Sequence, residues 1–166
     1  MKRVYMLVIA LAMLALTACG ATTSAPETDE EVHERTTASS AYEKYNIMAF
    51  ETVEMQTPET AEYGFINAKI KVTNNSEWTL KSVCIDATFR DADGNSLSVS
   101  YPQHNVPVGP GEFYVEEALL GEDEYGFEDA AYADVPSYYI ELSEPDESGY
   151  MFFHVDTVNK TVEAIY

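Results

Sequence analysis

Apolar and polar residues alternate along most of the chain from about residue 42 onward, in short segments that turn residues separate. In the segment from Gly64 to Thr73, the apolar positions on one face are Ile66, Ala68, Ile70 and Val72. In the next segment, the residues predicted to face the core are Val83, Ile85, Ala87 and Phe89. Those predicted to face outward are Cys84, Asp86, Thr88 and Arg90. A period of two is typical of β-strands with one buried face, so the sequence predicts an all-β domain.

Turn-forming residues divide the other alternating segments into strands. Gly94, within Asp91–Asn95, supplies the positive φ that a short hairpin requires, and Gly109-Pro110-Gly111 marks another loop. Further strands are predicted at residues 45–55, 97–101, 113–118, 138–142, 151–157 and 161–166. Residues 112–120 and 122–133 have room for a helical turn or two, but no segment shows a longer helical period. We therefore predict a two-sheet antiparallel β-sandwich of about seven to eight strands.

The beginning of the chain has a different character. Two basic residues precede an apolar run from Val4 to Leu16, which is too short to span a membrane and is typical of a secretory signal peptide. The run ends in Leu16-Thr17-Ala18-Cys19, which resembles a bacterial lipobox. The resemblance implies cleavage between Ala18 and Cys19 and a diacylglycerol on the Cys19 thiol; durable anchoring takes more than one acyl chain. The alternative is an ordinary signal peptide in which Cys19 is incidental.

Residues 19–41 are rich in Ser, Thr, Ala and Glu and show no period. Such a composition cannot bury enough apolar surface to offset the entropy of ordering, so we predict a flexible acidic linker. The predicted organisation is a signal peptide at residues 1–18, the lipidated N-terminus and linker at 19–41, and a β-sandwich domain at 42–166. It places the protein on the extracytoplasmic face of a cell membrane, held by its lipid. With Cys19 lipidated, Cys84 has no intrachain disulfide partner.

The stretch from Ile70 to Asn95 reads IKVTNNSEWTLKSVCIDATFRDADGN. It is similar to the FxLYD-type and related immunoglobulin-like modules of bacterial surface lipoproteins: a strand ends in Asn-Asn-Ser, Thr-Leu-Lys-Ser-Val enters the next strand, and an aromatic residue lies near Asp-x-x-Gly. The turn at Gly109-Pro110-Gly111-Glu112 resembles a later turn of the same family. The resemblance implies an immunoglobulin-like sandwich. It carries over no catalytic residue, because these modules share no active site.

The chain has 29 acidic and 9 basic residues, a net charge of −20. This charge argues against nucleic acid and anionic membrane surfaces as partners, because binding them takes a basic footprint. Between Asp91 and Asn159 there are 16 acidic residues and no Lys or Arg. The candidate surface for a cation or a basic partner, here named the acidic stretch, comprises Glu116, Glu117, Glu122, Asp123, Glu124, Glu128 and Asp129. It is interpreted as a solvated face, as a Ca²⁺ site or as a docking surface for a basic partner.

Catalytic motifs are missing from the sequence: it has no nucleophile elbow, zinc-protease motif, phosphate loop or Cys-x-x-Cys pair. The run from Asp91 to Asn95 is similar to the start of a calcium loop. Pro102 occupies the position of the glutamate that an EF-hand requires, so we reject that motif. His104 and His154 lie in different segments, and nothing in the sequence pairs either of them with Cys84.

These observations predict a lipid-anchored extracytoplasmic module for binding or assembly, without catalysis, that contacts an envelope protein, a peptide or a glycan. Apart from the covalent lipid, we predict no cofactor and no resident metal. The first alternative is a Ca²⁺-responsive acidic surface protein, in which the cation relieves repulsion within the acidic stretch. The second alternative is a small hydrolase, which would need His104 or His154 beside an activated nucleophile.

Overall fold

The computed structural model describes residues 40–165. The predicted signal peptide, the lipid-attachment residue Cys19 and the linker up to residue 39 lie outside these residues. A short helix, α1, occupies residues 40–45, and 3₁₀ turns occupy Pro58–Thr60 and Phe127–Asp129. The strands are β1 (Met48–Met55), β2 (Phe65–Asn74), β3 (Leu80–Ile85), β4 (Ala87–Arg90), β5 (Ser96–Ser100), β6 (Gln103–His104), β7 (Phe113–Gly121), β8 (Tyr132–Asp134), β9 (Ser137–Leu142), β10 (Phe152–Asp156) and β11 (Thr161–Ile165). None of the helices in this range has the length and apolarity that crossing a membrane takes.

The strands form three antiparallel sheets rather than the two predicted, and the predicted all-β sandwich is confirmed. The first sheet has the order β1-β2-β7, the second β11-β10-β9-β3-β6 and the third β5-β4-β8. The first sheet borders the third on both sides, because the Thr52 hydroxyl donates to the Ala133 carbonyl at 2.9 Å and the Leu119 amide donates to the Ser100 hydroxyl at 3.4 Å. The β8 edge of the third sheet therefore lies beside β1, and its β5 edge lies beside β7.

One bent pair of strands joins the second sheet to the third. β3 pairs with β9 and β4 pairs with β8, and the bend passes through Asp86 on one side and Pro136 on the other. At the bend, the Asp86 amide donates to the Ser137 carbonyl at 3.0 Å, and the Ser137 hydroxyl donates to the Asp86 carboxylate. Proline has no amide hydrogen for the ladder, so the regular pairing ends there.

The predicted core faces are confirmed in both segments. Every residue predicted to be inward is at most 1% exposed: Ile66, Ala68, Ile70, Val72, Val83, Ile85, Ala87 and Phe89. The alternation of buried and outward residues continues across the bend, because Asp86 separates the buried Ile85 from the buried Ala87. The outward assignment of Thr88 is wrong, since this residue is only 3% exposed. Thr88 lies in the central strand of the third sheet, between Val99 and Asp134, where both neighbouring strands cover it.

Several local predictions need correction. Residues 40–165 contain eleven strands rather than seven or eight, since the bends split the longer segments and β6 has two residues. The sequence does not predict β8, and of the helical turns that it allows in residues 122–133 only the 3₁₀ turn Phe127–Asp129 forms. Residues 113–121 are strand throughout. The hairpin turn at Gly94 is confirmed, with a φ of 88°.

Candidate functional site

The structure distributes the acidic stretch over different surfaces. Glu116 and Glu117 are consecutive in β7 and so point to opposite faces; Glu116 lies 3.4 Å from the His104 ring nitrogen. Glu124 is exposed, and its carboxylate accepts from the Ser98 hydroxyl at 2.8 Å and from the Gly121 amide at 3.1 Å. The other members follow β7 in turns: Glu122, Asp123, Glu128 and Asp129. Within residues 40–165, no three His, Cys, Asp or Glu residues are grouped to hold a metal ion.

The cysteine and histidines considered for catalysis are not brought together. Cys84, Tyr139 and His154 occupy matching positions in β3, β9 and β10, so Tyr139 lies between the thiol and the imidazole and stacks on His154 with centroids 4.5 Å apart. His104 pairs in register with Val83, so it projects to the face opposite Cys84. Burial, with the neighbouring charge of Asp86, raises the pKa of the Cys84 thiol. An activated cysteine needs the opposite shift, towards thiolate.

A cleft of about 460 Å³ opens at one end of the sandwich. It is lined by Lys44 of α1, by residues 77–79 between β2 and β3, and by residues 142–147 at the end of β9 and in the loop that follows. These segments meet because the beginning of β1 pairs with the end of β2, and the beginning of β3 pairs with the end of β9. We name it the end cleft. Its volume lies within the range of small-ligand sites.

Asp146 organises one wall of the end cleft. Its side chain is 3% exposed, and its carboxylate accepts from the Ser148 amide and hydroxyl at 2.9 and 2.6 Å and from the Tyr150 amide at 3.2 Å. It also accepts from Lys44 at 3.1 Å and from the Tyr45 hydroxyl, which ties the loop to α1. Burial alone would raise the pKa of Asp146, but the hydrogen bonds from Ser148, Tyr45 and Lys44 outweigh it and hold this pKa well below its ordinary value.

The lining of the end cleft also includes Trp78, the only tryptophan of the chain. Asn74, which is fully buried at the end of β2, holds this segment: its amide nitrogen donates to the Trp78 carbonyl at 2.8 Å, and its side-chain oxygen accepts from the Ser76 amide and hydroxyl at 3.0 and 2.7 Å. The Trp78 ring lies 5.6 Å from the Tyr45 ring, which stacks on Phe153 at 4.0 Å. The aromatic wall is thus continuous with the core.

The end cleft is lined by more acidic than basic side chains. Lys44 is its single base, and this base is paired with Asp146. Glu77, Glu144 and Glu147 also line the cleft, and within the described residues their side chains have no hydrogen-bond or ion-pair partner. The lining therefore combines an aromatic ring with three carboxylates that nothing in this range neutralises.

The end cleft was not predicted from the sequence. Lys44 and Asp146 are 102 positions apart, so no local pattern brings them together. The single signal in the sequence is the lone Trp78, which directly follows a turn of the Asn-Asn-Ser type. Loops carry many binding residues, and aromatic side chains are enriched at protein interfaces.

Replacing Asp146 by Asn is expected to lower the free energy of unfolding by about 2 kcal/mol at neutral pH, because the substitution removes the charge-assisted hydrogen bonds from Lys44 and Tyr45. The folded-state pKa of Asp146 is lowered, so its contribution is fully present above the unfolded value near 4 and is lost as pH falls through the folded value. Denaturant titrations measure the free energies of unfolding of the wild type and of Asp146→Asn. These two free energies should differ by a constant amount above about pH 5, and the difference should narrow below about pH 4.

The control for this prediction is Glu147→Gln, which removes one charge from the same loop. The Glu147 side chain is exposed and has no partner within the described residues, so the change in stability should stay within about 0.5 kcal/mol. Equal losses for the two variants, or a wild-type advantage that does not change down to about pH 2, would contradict the role assigned to Asp146.

The fold and the end cleft define the protein as an antiparallel β-sandwich with a ligand-sized cleft between loops at one end. No family model and no curated protein matches the chain. Among solved structures, IrmA from Escherichia coli is similar with a TM-score of 0.45 and 9% identity, covering 58% of this chain and 79% of that chain. A FixG-related protein from Vibrio parahaemolyticus has a TM-score of 0.31 and 16% identity, covering 71% and 88%. Both similarities are weak, and neither assigns a function to this chain.

Proposed function

We propose that the protein is a lipid-anchored binding module on the extracytoplasmic face of a cell membrane, and that it contacts an envelope protein, a peptide or a glycan through the end cleft. The observation that carries the binding role is the cleft itself, because it combines a ligand-sized volume with the tryptophan of the chain. The lipobox-like sequence before Cys19 supports the location.

Binding is favoured over catalysis by the arrangement of the loops. The end cleft is formed by loops on a rigid β-scaffold, which is how many recognition modules present their contact residues. Trp78 is half-buried in the wall and held by its neighbours, so it loses little freedom when a ligand covers it. Cys84, the residue suited to nucleophilic chemistry, lies on the outer face of β3 with a raised pKa.

The proposal is tested by crosslinking in intact cells, followed by capture of the protein and identification of what is attached. Trp78→Ala is expected to reduce the recovered partner at least about tenfold, as truncation of a central aromatic contact does. Tyr125→Ala is the matched control, because Tyr125 is 79% exposed and lies outside the cleft. Recovery with Tyr125→Ala should equal that of the wild type.

Two outcomes would refute the proposal. One is that no protein, peptide or glycan is captured above background from the wild type. The other is that Trp78→Ala and Tyr125→Ala recover the same partner equally well, which would place binding elsewhere. A circular-dichroism melting curve of each variant separates lost binding from lost folding.

A further inference from the structure

We infer that the outer face of the first sheet is a contact surface between two copies of this chain. This face is named the outer sheet face, and it consists of the outward residues of β2 and β7 together with Glu51 and Glu54 of β1. None of these residues lines the end cleft. The inference therefore goes beyond the binding function proposed above and does not depend on it.

Strand β7 carries apolar residues on both of its faces. Its inward residues Ala118 and Leu120 are fully buried, whereas its outward residues Phe113, Val115 and Leu119 are 45 to 61% exposed. An antiparallel strand with one face in water ordinarily has polar residues on that face, and a strand that is apolar on both faces is typical of one covered on both. The outward side of β7 thus has the composition of a covered surface, although these three side chains are exposed in the single chain.

The charged residues of the outer sheet face are paired with one another. The Lys69 nitrogen lies 2.7 Å from the Glu54 carboxylate, and Lys69 is also opposite Glu117 in the register of β2 and β7. The Lys71 nitrogen lies 3.9 Å from the Glu51 carboxylate and 4.7 Å from the centre of the ring of the outward Phe113. The face therefore combines both signs of charge with the apolar residues of β7.

The charge balance of the outer sheet face differs from that of the rest of the chain. Residues 40–165 contain 24 acidic and 6 basic residues, and this face has 3 of the acidic and 2 of the basic ones. The remainder has 21 acidic residues against 4 basic ones, so two copies repel each other where those surfaces meet. On the outer sheet face this repulsion is nearly absent, and a face that carries both signs is complementary to itself in a two-fold contact.

The size of the outer sheet face sets the expected strength of the contact. Three strands about 4.8 Å apart, with a rise of about 3.4 Å per residue, cover roughly 30 by 15 Å, or about 450 Å² on each copy. A total of about 900 Å² is in the range of weak and transient complexes. We therefore expect a reversible dimer rather than a permanent one.

The test uses two full-length copies with different epitope tags, expressed in the same cells. Intact cells are treated with a lysine-reactive crosslinker, one tag is captured, and the other tag is detected. The wild type is expected to give a crosslinked pair of copies. Val115→Glu should lower its recovery at least about tenfold, because the substitution places an unpaired charge within the contact.

The matched control is Val158→Glu, which adds the same charge at another exposed valine. Val158 is 69% exposed and lies in the turn between β10 and β11, outside the first sheet. Recovery of the crosslinked pair with Val158→Glu should equal that of the wild type. Where Val115→Glu does not give a normal circular-dichroism melting curve, Leu119→Glu tests the same face from the same strand.

Salt distinguishes a second copy from a partner of opposite charge. The purified full-length protein in detergent is crosslinked at about 0.05 M and at about 0.5 M NaCl. Added salt screens the repulsion between the acidic remainders of two copies, so the dimer should increase with salt. A contact that opposite charges hold together should weaken instead.

Four results would overturn the dimer. They are the absence of a crosslinked pair in the wild type, equal recovery with Val115→Glu and Val158→Glu, a dimer that decreases with salt, and capture of a different protein in place of the second copy when that capture depends on Val115. The last result would assign the outer sheet face to that protein. Each of them leaves the function proposed for the end cleft in place, because the two surfaces share no residue.

Discussion

Replacing Asn74 by Ala is expected to lower the free energy of unfolding by about 3 to 4 kcal/mol, because it leaves several buried groups without partners. The side chain is fully buried, and its amide nitrogen donates to the carbonyls of Trp78, Val108 and Gly109 at 2.8, 3.1 and 3.1 Å. Its oxygen accepts two hydrogen bonds from Ser76. One side chain thus joins the loop after β2 to the loop before β7.

The neighbouring residue supplies a matched control for this prediction. Asn75 is exposed and contributes a backbone hydrogen bond to the Ile47 carbonyl at 2.8 Å, which alanine keeps. Asn75→Ala should therefore change the stability by less than about 0.5 kcal/mol. Urea denaturation followed by circular dichroism measures both variants. Where Asn74→Ala does not fold, Asn74→Asp keeps the shape and the acceptor oxygen and replaces the donating amide nitrogen with a second oxygen. Losses of similar size at positions 74 and 75 would contradict the buried network.

The strand residues that face the core were predictable, because the alternation that identifies them is visible within each segment. Ile66 to Val72 alternate strictly with polar residues, and a period of two places one set inward whatever the strand packs against. The bend at Asp86 was not predictable from its own segment, since the alternation passes through it unchanged. Its cause lies in Pro136 and Ser137, about 50 positions later, which pair with it only after folding.

The candidate site was less predictable than the fold, because it depends on which loops meet. The stretch from Glu116 to Asp129 is rich in acidic residues, yet Glu116 and Glu117 point to opposite faces of β7 and the other acidic residues lie in the turns that follow it. The end cleft draws its charges from three separate segments, at positions 44, 77 and 144–147. The composition of the Asn-Asn-Ser segment is typical of a turn. That Asn74 also joins a second loop follows from contacts 34 and 35 positions away.

Replacing Cys19 by Ser is expected to abolish lipid attachment and to release the protein from the membrane fraction. The acyl chains on this thiol are the anchor that the lipobox-like sequence implies, and a serine hydroxyl does not replace the thiol in the thioether bond. One acyl chain alone gives only marginal, reversible membrane binding, so loss of the lipidated cysteine should leave no durable attachment. Metabolic labelling with palmitate, followed by fractionation of cells, measures both effects. The labelled band should fall to background.

The second cysteine of the chain is the control, because the chain contains two cysteines and Cys84 is free. Cys84 is half-buried on the outer face of β3, so Cys84→Ser should fold, keep its label and stay in the membrane fraction. Label that persists in Cys19→Ser, or that disappears in Cys84→Ser, would contradict the anchor. Because the end cleft is lined by Lys44 and by residues 77–79 and 142–147, all distant from Cys19 in the sequence, it should still bind its partner in the released Cys19→Ser protein, which makes location and recognition separable properties of the same chain.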